Sequence, residues 1–159
     1  MSVQPSLRAR YYSRMERDPF NLQRFVDAQD GVFATALAEL EAGAKRSHWM
    51  WFVFPQFAGL GQSELSRIYA IRSLDEARAF VRHPVVGPRY RRAVEAILGW
   101  AGKRDAAAIL GSVDSLKLRS SLTLFTVAAC DDPLFTRALR AFYFVPDPET
   151  LRLITEASR

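Results

Sequence analysis

Apolar residues recur three or four positions apart along most of this chain, the spacing of one face of an α-helix. The first such stripe lies in 19–43, and others lie in 85–100 and 113–129. The members of the first stripe are Leu22, Phe25, Val26, Phe33, Ala36, Leu37 and Leu40. Gly31 interrupts this stripe, so 19–43 is either two helices or one bent helix. No segment alternates like a strand bounded by a hairpin turn, although 49–54 could be extended. The pattern predicts an all-α fold, a single compact multihelical domain of about seven helices.

Polar residues mark where several of these helices begin. Asp-Pro pairs at 18–19, 132–133 and 147–148 each predict a start, because Asp can cap the first backbone N–H groups and Pro suits the first helical position. Ser73 and Glu76 have the spacing of a capping box, in which each side chain satisfies a backbone N–H group. Repeated start signals of the same kind support the all-α prediction.

Residues 1–17 differ from the rest of the chain. They show no sustained apolar period, and their charged residues are Arg8, Arg10, Arg14, Glu16 and Arg17. We therefore predict a flexible basic arm at 1–17, followed by a single helical domain at 18–159. The arm could contact an anion or a nucleic acid, or it could be a solvated tail.

Composition narrows the class of protein. The chain has 159 residues, of which 49% are hydrophobic, and this is the size and composition of one well-cored domain. Cys130 is the only cysteine, so an internal disulfide is excluded, and no Cys or His cluster has metal-ligand spacing. We predict no metal site and a reducing, cytoplasmic setting. The longest apolar run is much shorter than the roughly 20 residues that cross a bilayer, so no membrane partner is expected. The sequence indicates neither a cofactor nor an oligomeric state.

The segment 46–61 concentrates uncommon residue types. The candidates for a site here are Arg46, His48, Trp49, Trp51, Gln56, Gly59 and Gly61. The histidine could transfer a proton, the tryptophans could stack on a ring, and the glutamine could recognise an amide-like edge. The two glycines precede a predicted helix start and could let backbone N–H groups face a phosphate. The alternative is that the aromatic residues are core, the histidine is a hydrogen-bonded residue and the glycines form a turn.

A second candidate segment is 117–121. On a helix, Lys117, Ser120 and Ser121 share one face, and Arg119 adds a forked donor from a neighbouring direction. This arrangement could bind an anion. Equally, Lys117 could pair with Asp114 while the serines bond to their own helix.

A third group of cations could contact nucleic-acid phosphates. It consists of Arg78, Arg82, Arg89, Arg91 and Arg92, interleaved with Phe80 and Tyr90. Nearby acidic residues dilute its charge, and no recognised nucleic-acid motif is present. A solvated surface with scattered ion pairs is the alternative. The net charge of +5 permits an anionic partner without identifying one.

Several blocks of this sequence resemble the domain of unknown function 1810 family, in order and in register from about residue 19 to 154. The most specific are Lys45-Arg-Ser-His-Trp-Met-Trp-Phe-Val-Phe-Pro-Gln56 and Lys117-Leu-Arg-Ser-Ser-Leu-Thr-Leu-Phe125. The resemblance implies an all-α fold and no established activity. Some relatives are labelled calpastatin, which inhibits as a disordered, repetitive chain, and the compact composition here argues against that function. The family often has a glycine-containing turn before its last helix, whereas this chain has Phe142-Tyr-Phe-Val-Pro-Asp147.

Fainter similarity connects the chain with domains that process NAD and ADP-ribose derivatives. It depends on Ala28-Gln29, on Glu76-Ala-Arg78 and on the helix around Lys117. It indicates a nucleotide-like ligand.

Two hypotheses follow for function. In the first, a small anionic metabolite, such as a nucleotide or an ADP-ribose-like molecule, binds between 46–61 and 113–129. The cations Arg46, Lys117 and Arg119 hold the anion, the tryptophans stack, and His48 with Gln56 orients the ligand or transfers a proton. Whether the ligand is only bound or also processed is left open. In the second, the chain is a non-catalytic helical module that binds a protein or a nucleic acid through a basic surface, with no enclosed pocket near His48.

Overall fold

The structure is a computed structural model that describes residues 4–159. Within this range the named secondary-structure elements are all α-helices. The eleven helices of the described range are α1 Leu7–Arg17, α2 Gln23–Gln29, α3 Phe33–Glu41, α4 Met50–Val53, α5 Glu64–Ile68, α6 Leu74–Arg82, α7 Val86–Leu98, α8 Ala106–Leu110, α9 Ser112–Ala128, α10 Pro133–Tyr143 and α11 Pro148–Ala157. The prediction of an all-α domain is confirmed.

The predicted count of about seven helices is wrong, for reasons that can be located. Of the two interpretations of 19–43, the structure has two helices, α2 and α3, which are divided at Gly31, whose φ of 69° lies in the left-handed region. A helix, α1, lies inside the predicted arm, and α8 is a helix of only five residues that follows Asp105. Finally, 49–54 is not extended, because α4 occupies it.

α4 is helical because its buried residues lie on one side and hydrogen bonds hold its backbone. Met50 and Val53 are buried three positions apart, and the N–H of Phe54 donates to the Met50 carbonyl over 3.0 Å. The side-chain amide of Gln29 on α2 also donates to the Phe52 carbonyl over 2.8 Å. The apolar run therefore packs as one helical turn and not as a strand.

The Asp-Pro signals hold for the last two helices but not for the first. Asp132 and Asp147 accept hydrogen bonds from the backbone N–H groups of Leu134 and Thr150, as N-caps should. The carboxylate of Asp18 instead accepts from two N–H groups beyond a turn, and α2 begins only at Gln23. The Asp side chain accepts backbone hydrogen bonds at all three sites. At Asp18, however, the helix starts later than predicted.

The core is built around α9, which is packed by α6, α8, α10 and α11. Its central ring contact joins Phe125 of α9 and Tyr90 of α7, whose centroids are 4.4 Å apart. The Tyr90 hydroxyl lies 3.0 Å from the Ser121 hydroxyl. Burial raises the pKa of Tyr90, which the bond to Ser121 opposes only in part. Tyr90 is therefore a neutral core residue.

One buried arginine joins three parts of the fold. Arg24 on α2 donates to the carbonyls of Ile68 and Ala70, each over 2.9 Å, and its guanidinium lies 3.1 Å from the Glu76 carboxylate on α6. It also donates to the Phe20 carbonyl. The sequence predicts that the Glu76 side chain completes a capping box with Ser73. In the structure the Glu76 carboxylate instead binds the guanidinium of Arg24. The N-cap bond from Ser73 to the Glu76 N–H is present. Arg24 thereby fixes the segment on either side of Tyr69, which forms part of the candidate site.

The connection between α10 and α11 contains a strained turn. Phe144 has φ 66° and ψ −46°, and the Val145 N–H donates to the Tyr143 carbonyl over 2.7 Å. These angles and this bond define a γ-turn of the rare, strained form. The Phe144 side chain is 88% exposed and so gains little from packing.

We expect Phe144→Gly to be more stable than Phe144→Ala by about 1 kcal/mol. A side chain in this region of backbone space costs roughly 1–3 kcal/mol, and the greater freedom of glycine in the unfolded chain cancels up to about 1 kcal/mol of the relief. Both variants lose the Phe144 ring, so the difference between their free energies of unfolding reports the cost of the backbone conformation. Urea unfolding of the pair measures it, and equal stabilities would mean that the turn is not strained.

α1 lies on the outside of the fold. No residue of Leu7–Arg17 is buried, and Ser6 caps its first turn. The flexibility predicted for 1–17 stays a prediction, and its first three residues lie outside the described range. Among residues 4–159, no helix has the length and apolarity needed to cross a membrane.

Candidate functional site

Glu39 of α3 shapes the start of the segment 46–61. Its buried carboxylate accepts hydrogen bonds from the backbone N–H groups of Arg46 and Ser47, from the Ser47 hydroxyl, and at 3.4 Å from the Trp49 indole N–H. Burial raises the pKa of Glu39, but the bonds from Ser47, Arg46 and Trp49 outweigh it and hold the pKa below its usual value. A single ionised carboxylate therefore sets the path of this loop.

The predicted site residues of this loop differ in how exposed they are. Trp49 has no exposed surface and lies in the core. Arg46 and His48 are exposed, and within residues 4–159 neither side chain makes a hydrogen bond or ion pair. Trp49 has no surface to offer a ligand, whereas Arg46 and His48 are accessible to one.

Two lysines and two tryptophans meet where 46–61 approaches α9. Lys45 and Lys117 both contact the carboxylate of Asp114, at 3.0 and 3.3 Å. The Lys117 ammonium lies 4.6 Å from the centre of the Trp51 ring, and that of Lys45 lies 5.0 Å from the Trp49 ring. We call these five residues the lysine–tryptophan cluster. Two cations share one anion, so the cluster carries a net positive charge.

The pairing expected for Lys117 is present, and anion binding by Lys117 stays a prediction. It pairs with Asp114 three residues earlier, as the local alternative required. It also contacts Trp51 of the other candidate segment, so 46–61 and 113–129 do meet. An ammonium has three donors, and the salt bridge with Asp114 does not use them all.

A small cleft adjoins the cluster at Trp51. We call it the Trp51 cleft, and it is lined by Trp51, Gln56, Phe57, Gly61, Ser66 and Tyr69. Its space is about 260 Å³ when the part open to solvent is included, and the enclosed part has room for about one water molecule. Ligand sites are usually about 300–1,000 Å³, so in the present arrangement this cleft is too small for a ring.

The two glycines of the segment have different surroundings. A Cβ on Gly61 would lie 2.3 Å from the Ser66 hydroxyl oxygen, so the cleft is tight at this point. Gly59 has a φ of 103°, which only glycine adopts easily, and faces Leu153. The following helix, α5, has five residues, and the Ser63 hydroxyl already accepts from the Ser66 N–H. Phosphate binding by backbone N–H groups here stays a prediction.

The remaining candidates on α9 bind other parts of the protein. Arg119 donates to the carbonyls of Val145 and Pro146 over 3.2 and 3.0 Å. Ser120 donates to the Asp147 carboxylate over 3.0 Å, and Ser121 pairs with Tyr90. The three side chains hold α9 against the start of α11 and the core. Their geometry supports a structural role.

Five residues of the site were not among the predicted ones, namely Lys45, Phe57, Ser66, Tyr69 and Asp114. Lys45 immediately precedes the segment, and Asp114 was considered only as a local partner of Lys117. Tyr69 lines the cleft because Arg24 holds both neighbouring carbonyls, and this contact joins positions 44 to 46 residues apart. No spacing rule in a single sequence indicates such a contact.

The third group of cations is dispersed. Arg78 pairs with Asp75 over 3.2 Å, and Arg91 pairs with Asp132. Arg89 lies 5.6 Å from the Phe33 ring centre and contacts Gln29 on α2. Local partners therefore engage much of this surface. The described part of the chain has no group of three or more His, Cys, Asp or Glu residues arranged to hold a metal ion.

Comparisons with known proteins agree with this fold. A model of the family described as "Protein of unknown function (DUF1810)" matches residues 19–154. The crystal structure of the conserved hypothetical protein Rv1873 from Mycobacterium tuberculosis is similar, with 43% sequence identity and a TM-score of 0.84. The match covers 87% of this chain and 99% of that one. The search of curated proteins gives no match. Since the family match spans most of the sequence, the chain belongs to the DUF1810 family of proteins of unknown function.

Proposed function

We propose that this protein binds a small anionic metabolite at the lysine–tryptophan cluster, with part of the ligand in the Trp51 cleft. One observation carries the proposal: the Lys117 ammonium lies 4.6 Å from the centre of Trp51, which is itself a wall of the cleft. A cation beside an aromatic surface suits a ligand that has an anionic group and a flat apolar part.

The charge distribution favours an anion. Lys45 and Lys117 share the single carboxylate of Asp114, and the exposed side chains of Arg46 and His48 belong to the adjoining loop. An anion next to Lys117 would neutralise the positive charge of the two lysines that Asp114 leaves uncompensated. Because Lys117 is partly buried, this contact is screened less by solvent than one on an open surface.

The cleft favours a flat group with hydrogen-bonding edges. Trp51 and Tyr69 offer ring surfaces, while Gln56 and Ser66 offer an amide and a hydroxyl. A nucleobase or a nicotinamide-like ring has these properties, so a nucleotide or an ADP-ribose-like molecule is the finer proposal. The cleft has room for about one water molecule, so it must widen before the ring of such a ligand enters, with the anionic end over the cluster.

Binding is the function that the geometry supports best. His48 is exposed, and no described side chain orients its ring. If the ligand is also processed, His48 is the residue we propose for proton transfer. Turnover that persists in His48→Ala would exclude that role without affecting the proposal of binding.

Lys117→Ala should abolish ligand-induced stabilisation. In a thermal-shift screen with nucleotides, ADP-ribose, sugar phosphates and inorganic phosphate, a ligand at about 100 times its Kd stabilises the wild type by roughly 2.7 kcal/mol, or about 5–10 °C. Lys103→Ala is the matched control, since Lys103 is exposed and outside the cluster. The proposal fails if no compound shifts the wild type, or if Lys117→Ala responds as Lys103→Ala does.

A further inference from the structure

α1 is an exposed helix whose large apolar residues are only partly covered in the described structure. None of its eleven residues is buried. Leu7, Tyr11 and Met15 are 85%, 63% and 46% exposed, and Tyr12 is also exposed. Isolated helices of this length are marginal in water, so an exposed apolar side on one requires an explanation.

α1 exposes a stripe of large apolar residues. Leu7, Tyr11 and Met15 are four residues apart, so they fall within an arc of about 80°. Ala9 and Ser13 are on the opposite side and line one cleft against the rest of the protein, while Tyr11 and Met15 line a second one beside Pro19 and Asn21. The apolar arc is therefore mostly exposed, and its exposure is greatest at Leu7.

The charges of α1 border this apolar arc. At about 100° per residue, Arg14 lies just before Leu7 and Arg8 just after Met15, one at each edge. Arg10 and Arg17 add two more cations, against Glu16 alone. Within residues 4–159, none of these arginines is in a salt bridge. Cations on both sides of an apolar stripe are typical of a helix that lies in the surface of an anionic bilayer.

α1 is also separate from the conserved domain. The family match begins at residue 19, after the last residue of the helix. Because no side chain of α1 is buried, the packing of the domain does not depend on it. A function of α1 is therefore additional to that of the lysine–tryptophan cluster.

We propose that α1 binds an anionic membrane surface, with Leu7, Tyr11 and Met15 inserted among the lipids and its arginines on lipid phosphates. This departs from the expectation of no membrane partner, because that expectation considered only segments long enough to cross a bilayer. Tyrosine suits this depth, since its ring is apolar and its hydroxyl stays at the headgroups. Charge complementarity alone would also fit a nucleic acid. Phosphate contacts leave Leu7 and Met15 without a role, however, and the apolar arc favours lipid.

Sedimentation of the full-length chain with lipid vesicles tests this proposal. At low salt the protein should bind vesicles of equal parts phosphatidylcholine and phosphatidylglycerol, and it should not bind phosphatidylcholine alone. Arg8→Gln/Arg14→Gln should weaken binding about 25-fold. Leu7→Ser/Met15→Ser should weaken it about tenfold or more.

Matched controls are available on the domain. Arg82→Gln/Arg92→Gln changes two exposed arginines, and Val113→Ser/Leu116→Ser changes two exposed apolar residues. Both should bind as the wild type does. Absence of binding to the anionic vesicles, or equal losses in the controls, would overturn the proposal. So would low-salt binding to duplex DNA that Leu7→Ser/Met15→Ser leaves intact while vesicle binding is absent, since α1 would then be a nucleic-acid element.

Discussion

Arg24→Ala should lower the free energy of unfolding by about 3–5 kcal/mol, the usual cost of removing one partner of a buried ion pair. The Arg24 and Glu76 side chains are 12% and 5% exposed, and their closest atoms are 3.1 Å apart. The substitution leaves the Glu76 carboxylate buried and uncompensated, and it removes the donors to the Ile68 and Ala70 carbonyls. Urea unfolding at pH 7 measures the loss.

The pH dependence of this loss is specific. Burial raises the pKa of Glu76, and Arg24 opposes the shift, so Arg24→Ala should raise that pKa further. A carboxyl whose pKa is raised by folding stabilises the folded state most when protonated. This contribution is lost as the pH rises through the folded pKa. Arg24→Ala should therefore be closest to the wild type near pH 4.5 and furthest from it at pH 7.

Glu76→Gln in the Arg24→Ala background is the informative second variant. It removes the buried charge, so it should recover part of the stability at pH 7 and abolish the extra pH dependence. Arg78→Ala is the surface control, since its pair with Asp75 is exposed and should contribute about 1 kcal/mol or less. A loss in Arg24→Ala no larger than that of Arg78→Ala would mean that Arg24 does not hold the segment.

Glu39→Gln should lower the free energy of unfolding by about 3 kcal/mol. The wild-type carboxylate accepts from two backbone N–H groups, a hydroxyl and an indole, whereas an amide turns its NH₂ group toward some of these donors. Chemical denaturation at pH 7 measures the loss. Glu41→Gln is the matched control, because Glu41 is exposed on the same helix.

Acid should remove the difference between Glu39→Gln and the wild type. The pKa of Glu39 is held below its usual value, so its ionised form stabilises the folded state above about pH 4.5, and this contribution is lost as the pH falls through the folded pKa. The two proteins should therefore converge as the pH falls through the folded pKa of Glu39. A difference that stayed constant from pH 7 to pH 3 would contradict the assigned role.

What could be predicted from the sequence was the class of fold and the meeting of two segments. Helical periodicity and caps are local signals, and they located α6, α7, α9, α10 and α11 well. Two points could not be decided from local signals. Gly31 marked an interruption in 19–43 without showing whether it bends one helix or divides two, and α4 is an apolar run too short to show a period.

The candidate site was predicted less completely, because its contacts are long-range. Lys117 and Asp114 are three residues apart and could be paired from spacing alone. The contact between Lys117 and Trp51 joins separate helices, and Tyr69 is placed by Arg24 from α2. Burial determined which of the predicted residues a ligand can reach. Trp49 and Trp51 are two residues apart, and only Trp51 has exposed surface.

The volume of the Trp51 cleft depends on a loop whose two ends are fastened together. The Ala58 N–H donates to the Ile71 carbonyl over 2.8 Å, and the Ile71 N–H donates to the Gln56 carbonyl over 2.9 Å. The residues between them form a loop that contains α5 and supplies Gly61, Ser66 and Tyr69 to the cleft. Because Arg24 holds the carbonyls on either side of Tyr69, an outward movement with the core intact would involve only the part of the loop that carries Gly61 and Ser66. The size of molecule that the protein accepts is then determined by how far the loop opens.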